Sequence, residues 1–200
     1  MAIQSASPSS NAPLTIVDLF PTPGEWTEAD YFPVSERSRI IELSNGNLEI
    51  APMLTDLHQL VLGRLFAVLF ALVSRRKLGQ VRFSPLPVRL WPGKIREPDL
   101  IFMSAAHADR IQKYWGVPDL AVEIISEGTE KIDREIKRVE YAQARIPEYW
   151  IVDPEAQTVE VLRLVGGTYS IEAQLGSGDT LISPTFPGFK LSLADLFAAE

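Results

Sequence analysis

Two apolar stretches, EPDLIFM (97–103) and DLAVEIIS (119–126), each carry one carboxylate, Asp99 and Glu123, through residues otherwise suited to a protein interior. An ionised carboxylate is costly to bury unless another charge compensates it. Two such strands lying side by side bring Asp99 and Glu123 together and add repulsion to that cost. A divalent cation relieves both. Hard oxygen ligands suit Mg²⁺ (or Mn²⁺), which takes one or two carboxylates and fills its remaining positions with water and substrate phosphate. The strand backbone offers a carbonyl as a further ligand, with Ile124 the natural candidate.

The segment after DLAVEIIS supplies a cation of the chain's own. Residues 131–146 read as a helix with an apolar stripe of Ile132, Ile136, Val139, Ala142 and Ile146. Asp133, Lys137 and Tyr141 follow at i, i+4 and i+8 on a bordering face. Lys137 can therefore reach over the strand ends toward the two acids. Metal, acids and ammonium together suit phosphodiester hydrolysis: the metal polarises phosphate and activates water, and the lysine orients that water or stabilises developing charge. Tyr141 is read as packing beside the site rather than reacting. The plain alternative is a buried acid–lysine network with no chemistry, in which Lys137 merely extends its head toward water.

The rest of the chain alternates helical and strand patterns. EWTEADYF (25–32) reads as a short helix, and RIIEL and LEIAP flank Asn45-Gly46 as an N-terminal β-hairpin. Residues 55–77 read as a helix with Leu57, Leu60, Val61, Leu65, Leu69 and Leu72 on its apolar side, capped by Thr55 or Asp56. VRFSPLPVRLWPG (81–93) is strand-like, its prolines confining it to an edge or bend. Residues 104–118 form a polar connection. EYWIVD (148–153) is a buried strand, residues 158–164 and 168–173 a C-terminal hairpin across Gly166-Gly167, and 191–199 a short helix. The order implies an α/β fold, a mixed sheet flanked by helices. Residues 119–153 form a right-handed crossover between parallel strands.

Two hundred residues with 46% hydrophobic content suit one domain over 15–200, behind a disordered Ser/Pro/Asn-rich tail over 1–14. The apolar run LFAVLFALV (65–73) is too short to span a bilayer, and the N-terminus lacks secretory character, so a cytoplasmic location without membrane attachment is expected. The absence of cysteine excludes disulfides and thiolate metal sites. A net charge of −7 argues against non-specific coating of nucleic acid. No P-loop, dinucleotide fingerprint or G-x-S-x-G elbow occurs, and His58 with His107 makes a poor zinc set.

REPDLIF, PDLAVEIIS, DREIK and ARIPEYWIVDP, in that order, resemble the Uma-two family of endonucleases in the PD-(D/E)XK superfamily. The resemblance implies a restriction-endonuclease-like fold and Mg²⁺- or Mn²⁺-dependent cleavage of nucleic acid, DNA in the first instance. Pro98-Asp99 matches the PD, Glu123 the following acid, and Lys137 a lysine moved from the usual position, here Ile125, to the next helix. Glu42 matches an early hairpin acid that completes the metal site or holds a water. His58 matches a recurrent histidine beside the site or facing substrate. Glu127 follows Ser126 where the family has proline, and adds negative charge. Two-strand cleavage needs two sites, so a homodimer is expected. The rival is an inactive module of the same fold acting in binding or assembly.

Overall fold

A computed structural model describes residues 20–36 and 40–199. The expected tail over 1–14 lies outside the described residues. α1 (Glu28–Ser35) starts at Thr27, which forms a capping box with Asp30. The hairpin β1 (Ile41–Ser44) and β2 (Asn47–Ile50) turns through Asn45 and Gly46, whose φ angles are 51° and 73°. Gly46 is required twice over: its φ suits glycine, and a Cβ there would lie 2.1 Å from the Gly24 carbonyl oxygen.

α2 (Asp56–Arg76) is capped by Thr55, whose hydroxyl accepts from the His58 N–H, and ends where Lys77 turns left-handed. At 21 residues and a mean hydropathy of 1.8 over its most apolar window, α2 is long and apolar enough to cross a membrane, which its nine-residue apolar run did not indicate. Here Val61, Leu62, Leu65, Leu69, Leu72 and Val73 are buried against the sheet.

There follow β3 (Gly79–Phe83), β4 (Val88–Trp91), β5 (Lys94–Arg96), β6 (Leu100–Ser104) and a 3₁₀ turn (Ala105–Arg110). β7 (Leu120–Ile124) leads into a π-helical turn (Ile132–Lys137), α3 (Arg138–Gln143) and β8 (Glu148–Asp153). β9 (Thr158–Val165) and β10 (Thr168–Gly176) form the second hairpin, followed by β11 (Thr180–Leu181), β12 (Leu191–Ser192) and α4 (Leu193–Phe197).

The expected single mixed sheet is present as a six-stranded sheet, β10-β9-β8-β7-β6-β3, with only β7 and β8 parallel. The N-terminal hairpin does not join it. It belongs to a four-stranded antiparallel sheet, β2-β1-β5-β4, and β11 pairs with β12. The proline-rich 81–93 segment leaves the first sheet after its edge strand β3 and enters the second as edge strand β4.

Alternation of side chains sorts the main sheet's residues between its faces. Leu100, Phe102, Val122, Ile124, Trp150 and Val152 face α2 and α4. Ile101, Met103, Ala121, Tyr149 and Ile151 face α3. Asp99 and Glu123 have the parity of the second set, which aims both at the π-turn and α3. The helix face differs from the expected stripe: Ile136 and Val139 are 44% and 65% exposed, whereas Asp133, Lys137 and Tyr141 are buried with Ala142 and Ile146. The strand acids attract the polar face inward, and the π-turn rotates the residues that follow it relative to a continuous 3.6-residue period.

Candidate active site

Glu123 lies in the middle of the main sheet, 3% exposed. Its Oε2 is 2.9 Å from Lys137 Nζ, and the Tyr141 hydroxyl donates to Oε1 at 2.5 Å. Burial pushes its carboxyl well up; Lys137 opposes this, while Asp133, Asp99 and Glu42 raise it further. Asp99 stands just before β6, where its Oδ2 accepts the Ile124 N–H at 2.7 Å. That bond crosses from β6 to β7 and fixes the carboxylate beside the Glu123 strand.

Lys137 is the hub. Its ammonium lies 2.9 Å from Glu123, 3.1 Å from Asp133 and 3.8 Å from Glu42. Burial lowers its pKa, but Glu123, Glu42 and Asp133 outweigh that and hold it well above the usual lysine value. It is therefore a fixed positive charge and a hydrogen-bond donor, not a base. Glu42, which an outward hairpin face would have exposed, is buried. It accepts from Arg96 at 2.7 Å and from the Glu97 N–H at 2.9 Å. Burial pushes it up, but Lys137 and Arg96 hold its carboxyl below the usual glutamate value.

His58 is not satisfied by a local side-chain bond. Its ring is 1% exposed, Nε2 lies 3.2 Å from Asp99 Oδ2, and neither ring nitrogen has an aligned hydrogen bond. Thus α2 delivers an imidazole to the same carboxylate oxygen that accepts the Ile124 N–H. Glu127 is exposed on the turn after β7 and is not among the cleft's lining residues, whereas Ser126 is.

Glu42, His58, Asp99, Glu123, Ile124 and Lys137 line one cleft of about 90 Å³, with Tyr141 bonded behind Glu123. This has room for an ion with a few waters and is far below the roughly 300–1,000 Å³ of a pocket that swallows a ligand.

Four participants had no role in the sequence reading. Asp133 is buried beside Lys137, and burial raises its carboxyl. Glu97 also lines the cleft; burial pushes it up to about 7, Tyr31 is bonded to one oxygen at 3.0 Å, and the other has no hydrogen-bond partner. Arg96 and Glu140 lie behind Glu42 and are paired at 2.7 Å. The only signal for Arg96 was its place in REPDLIF; a K-I-R strand otherwise reads as a charged face turned to solvent.

The donor set fits a hard divalent ion: two strand carboxylates, oxygen atoms throughout and a surplus of negative charge. Among the described residues, no three His, Asp or Glu side chains converge as a ready-made metal cage.

A profile of the Uma2 family, described as "Putative restriction endonuclease", matches residues 26–194. The chain belongs to the Uma2 family. A solved structure described as "a putative nuclease belonging to DUF820 from Anabaena variabilis ATCC 29413" is similar in fold, with a TM-score of 0.70 at 17% identity. The match covers 86% of this chain and 97% of that one. No curated protein matches. The family match supports a nuclease function for this Uma2 chain, and the structural neighbour supports the fold.

Proposed function

We propose that this Uma2 protein is a divalent-metal-dependent endonuclease that hydrolyses phosphodiester bonds in DNA. The observation that carries the reading is the placement of Asp99 and Glu123 on one face of adjacent strands, with the buried Lys137 ammonium 2.9 Å from Glu123. Asp99 and Glu123, with the Ile124 carbonyl, would hold Mg²⁺ or Mn²⁺. When bound, the ion polarises the scissile phosphate and lowers the pKa of a coordinated water. Lys137 stays protonated and directs its N–H groups at the developing charge. Glu42 shares that ammonium and limits where it points. His58 braces Asp99, and Tyr141 fixes the rotamer of Glu123.

The test is plasmid cleavage with Mg²⁺ or Mn²⁺ by wild type, Asp99→Ala and Glu123→Ala. Each substitution lowers the rate by at least about 100-fold; variants as active as wild type would overturn the assignment. Because duplex cleavage needs two sites, a homodimer is part of this reading, and light scattering in solution tests it.

One observation favours the inert-module reading: both Glu123 oxygens already have partners within the protein. Calorimetric titration with Mn²⁺ separates the two readings. A nuclease site binds the ion and loses it in Asp99→Asn, whereas a self-satisfied network shows no binding in either protein.

A further inference from the structure

β5 reads Lys94-Ile95-Arg96, so the two cations share one face and Ile95 the other. Ile95 packs with Tyr31, Ile41 and Leu43. The cationic face turns inward toward α3. Arg96 is 1% exposed, with Nε and Nη2 donating to the two oxygens of Glu140 at 2.7 and 3.0 Å. Its Nη1 reaches Glu42 at 2.7 Å and also contacts Glu49. Lys94 supports the same carboxylate, 2.6 Å from Glu140 Oε1, and donates to Ser44 at 2.6 Å.

Glu140 stands three residues beyond Lys137, nearly one helical turn, and Glu42 lies 3.8 Å from the Lys137 ammonium. Arg96 thus grips one acid that faces Lys137 and another on the helix that carries it. The fork matters because a guanidinium binds a carboxylate through two parallel bonds and fixes rotation as well as distance, which a lysine cannot.

We propose that Arg96 is a positioning residue, and that its simultaneous hold on Glu42 and Glu140 sets the helix so that Lys137 stands between Glu42 and Glu123. This rests on the reading of Lys137 as the charge-stabilising group. Lys94–Glu140 alone ties β5 to α3; Arg96 adds the orientation.

The test uses Arg96→Lys, which keeps the charge and loses the fork, and Glu140→Gln, which removes the other end. Fold is checked by circular dichroism and thermal melting, and the held ammonium of Lys137 is followed by ¹H–¹⁵N correlation of lysine side chains. Cleavage kinetics are measured on the same samples. In folded Arg96→Lys, the Lys137 signal shifts or exchanges away and kcat falls about ten- to a hundredfold, with KM for DNA within about threefold. An unchanged Lys137 signal with wild-type kcat and only a lower melting temperature would make Arg96 a structural tie and overturn the proposal. If Arg96→Lys does not fold, Glu140→Gln decides by the same readouts. If wild type cleaves no DNA, the nuclease reading fails, while the ammonium signal still decides the positioning role.

Discussion

Glu123 and Glu148 sit on neighbouring strands of the same sheet, and both are buried, yet their partners divide them. Glu148 accepts from Trp150 Nε1, Ser183 and the Thr185 N–H at 2.5–2.8 Å, on the sheet face that carries Trp150 into the core beneath α2 and α4. It anchors a loop. Glu123 has opposite parity and meets an ammonium and a phenol beside a cleft. A strand acid is thus informative only together with the face it occupies. Tyr141 gives this distinction a test. Its hydroxyl supports the charged form of Glu123, against burial and three neighbouring acids that oppose ionisation. Tyr141→Phe removes a bond to a charged group, worth about 1.5–3 kcal/mol. Mn²⁺ affinity is expected to fall about tenfold or more, as a calorimetric titration would show, with the ring's packing on Tyr149 retained. Unaltered affinity would mean that Tyr141 merely fills space.

The π-turn and α3 carry the largest departure between pattern and structure. Apolar periodicity picked Ile132, Ile136, Val139, Ala142 and Ile146 as the inward stripe; Ala142 and Ile146 are buried, but Ile136 and Val139 are exposed and Asp133, Lys137 and Tyr141 turn inward instead. Period alone cannot detect this, because the inward polar face is stabilised by acids from distant segments. The strands were legible for the opposite reason: β7 and β8 are near-continuous apolar runs, and both hairpins announce themselves by Asn45-Gly46 and Gly166-Gly167. Asp99 and Glu123 were legible as lone charges in apolar strands, Lys137 by its i, i+4, i+8 spacing with Asp133 and Tyr141, and Glu42 and His58 only through family resemblance. Arg96 and Glu140 were not legible, since their partnership spans 44 residues. Their ion pair yields a pH prediction. Burial raises the Glu140 carboxyl, but Arg96 and Lys94 outweigh it, so its folded pKa lies below the usual 4.5. A depressed carboxylate stabilises the fold above its unfolded pKa and loses that contribution as pH falls through the folded value. Wild type is therefore more stable than Glu140→Gln at pH 7, by about 3 kcal/mol. That gap shrinks below pH 4.5. Urea midpoints across pH 3–7 measure it, and a gap independent of pH would show that Glu140 contributes through shape alone.

For the molecule as a whole, the difficulty is electrostatic. The chain carries a net charge of −7, and the cleft is lined by Glu42, Glu49, Glu97, Asp99, Glu123 and Asp133 against the single ammonium of Lys137. A phosphodiester approaching this face is repelled, and a face with one ammonium among six acids gains little from counterion release. Under the proposed metal-dependent reading, a divalent ion would have to occupy the cleft before a phosphodiester could settle at its mouth. Fluorescence anisotropy with a labelled duplex tests this at about 100 mM salt, near the ionic strength where screening reaches about 10 Å. With EDTA, association should be at least about tenfold weaker than with Ca²⁺, an ion with the same oxygen preference that tolerates a looser site. In Asp99→Asn the Ca²⁺ enhancement should vanish while the EDTA value rises slightly, because one repelling charge is gone. Equal affinity in EDTA and Ca²⁺ would place the DNA-binding surface elsewhere on the molecule and separate binding from the carboxylate cleft.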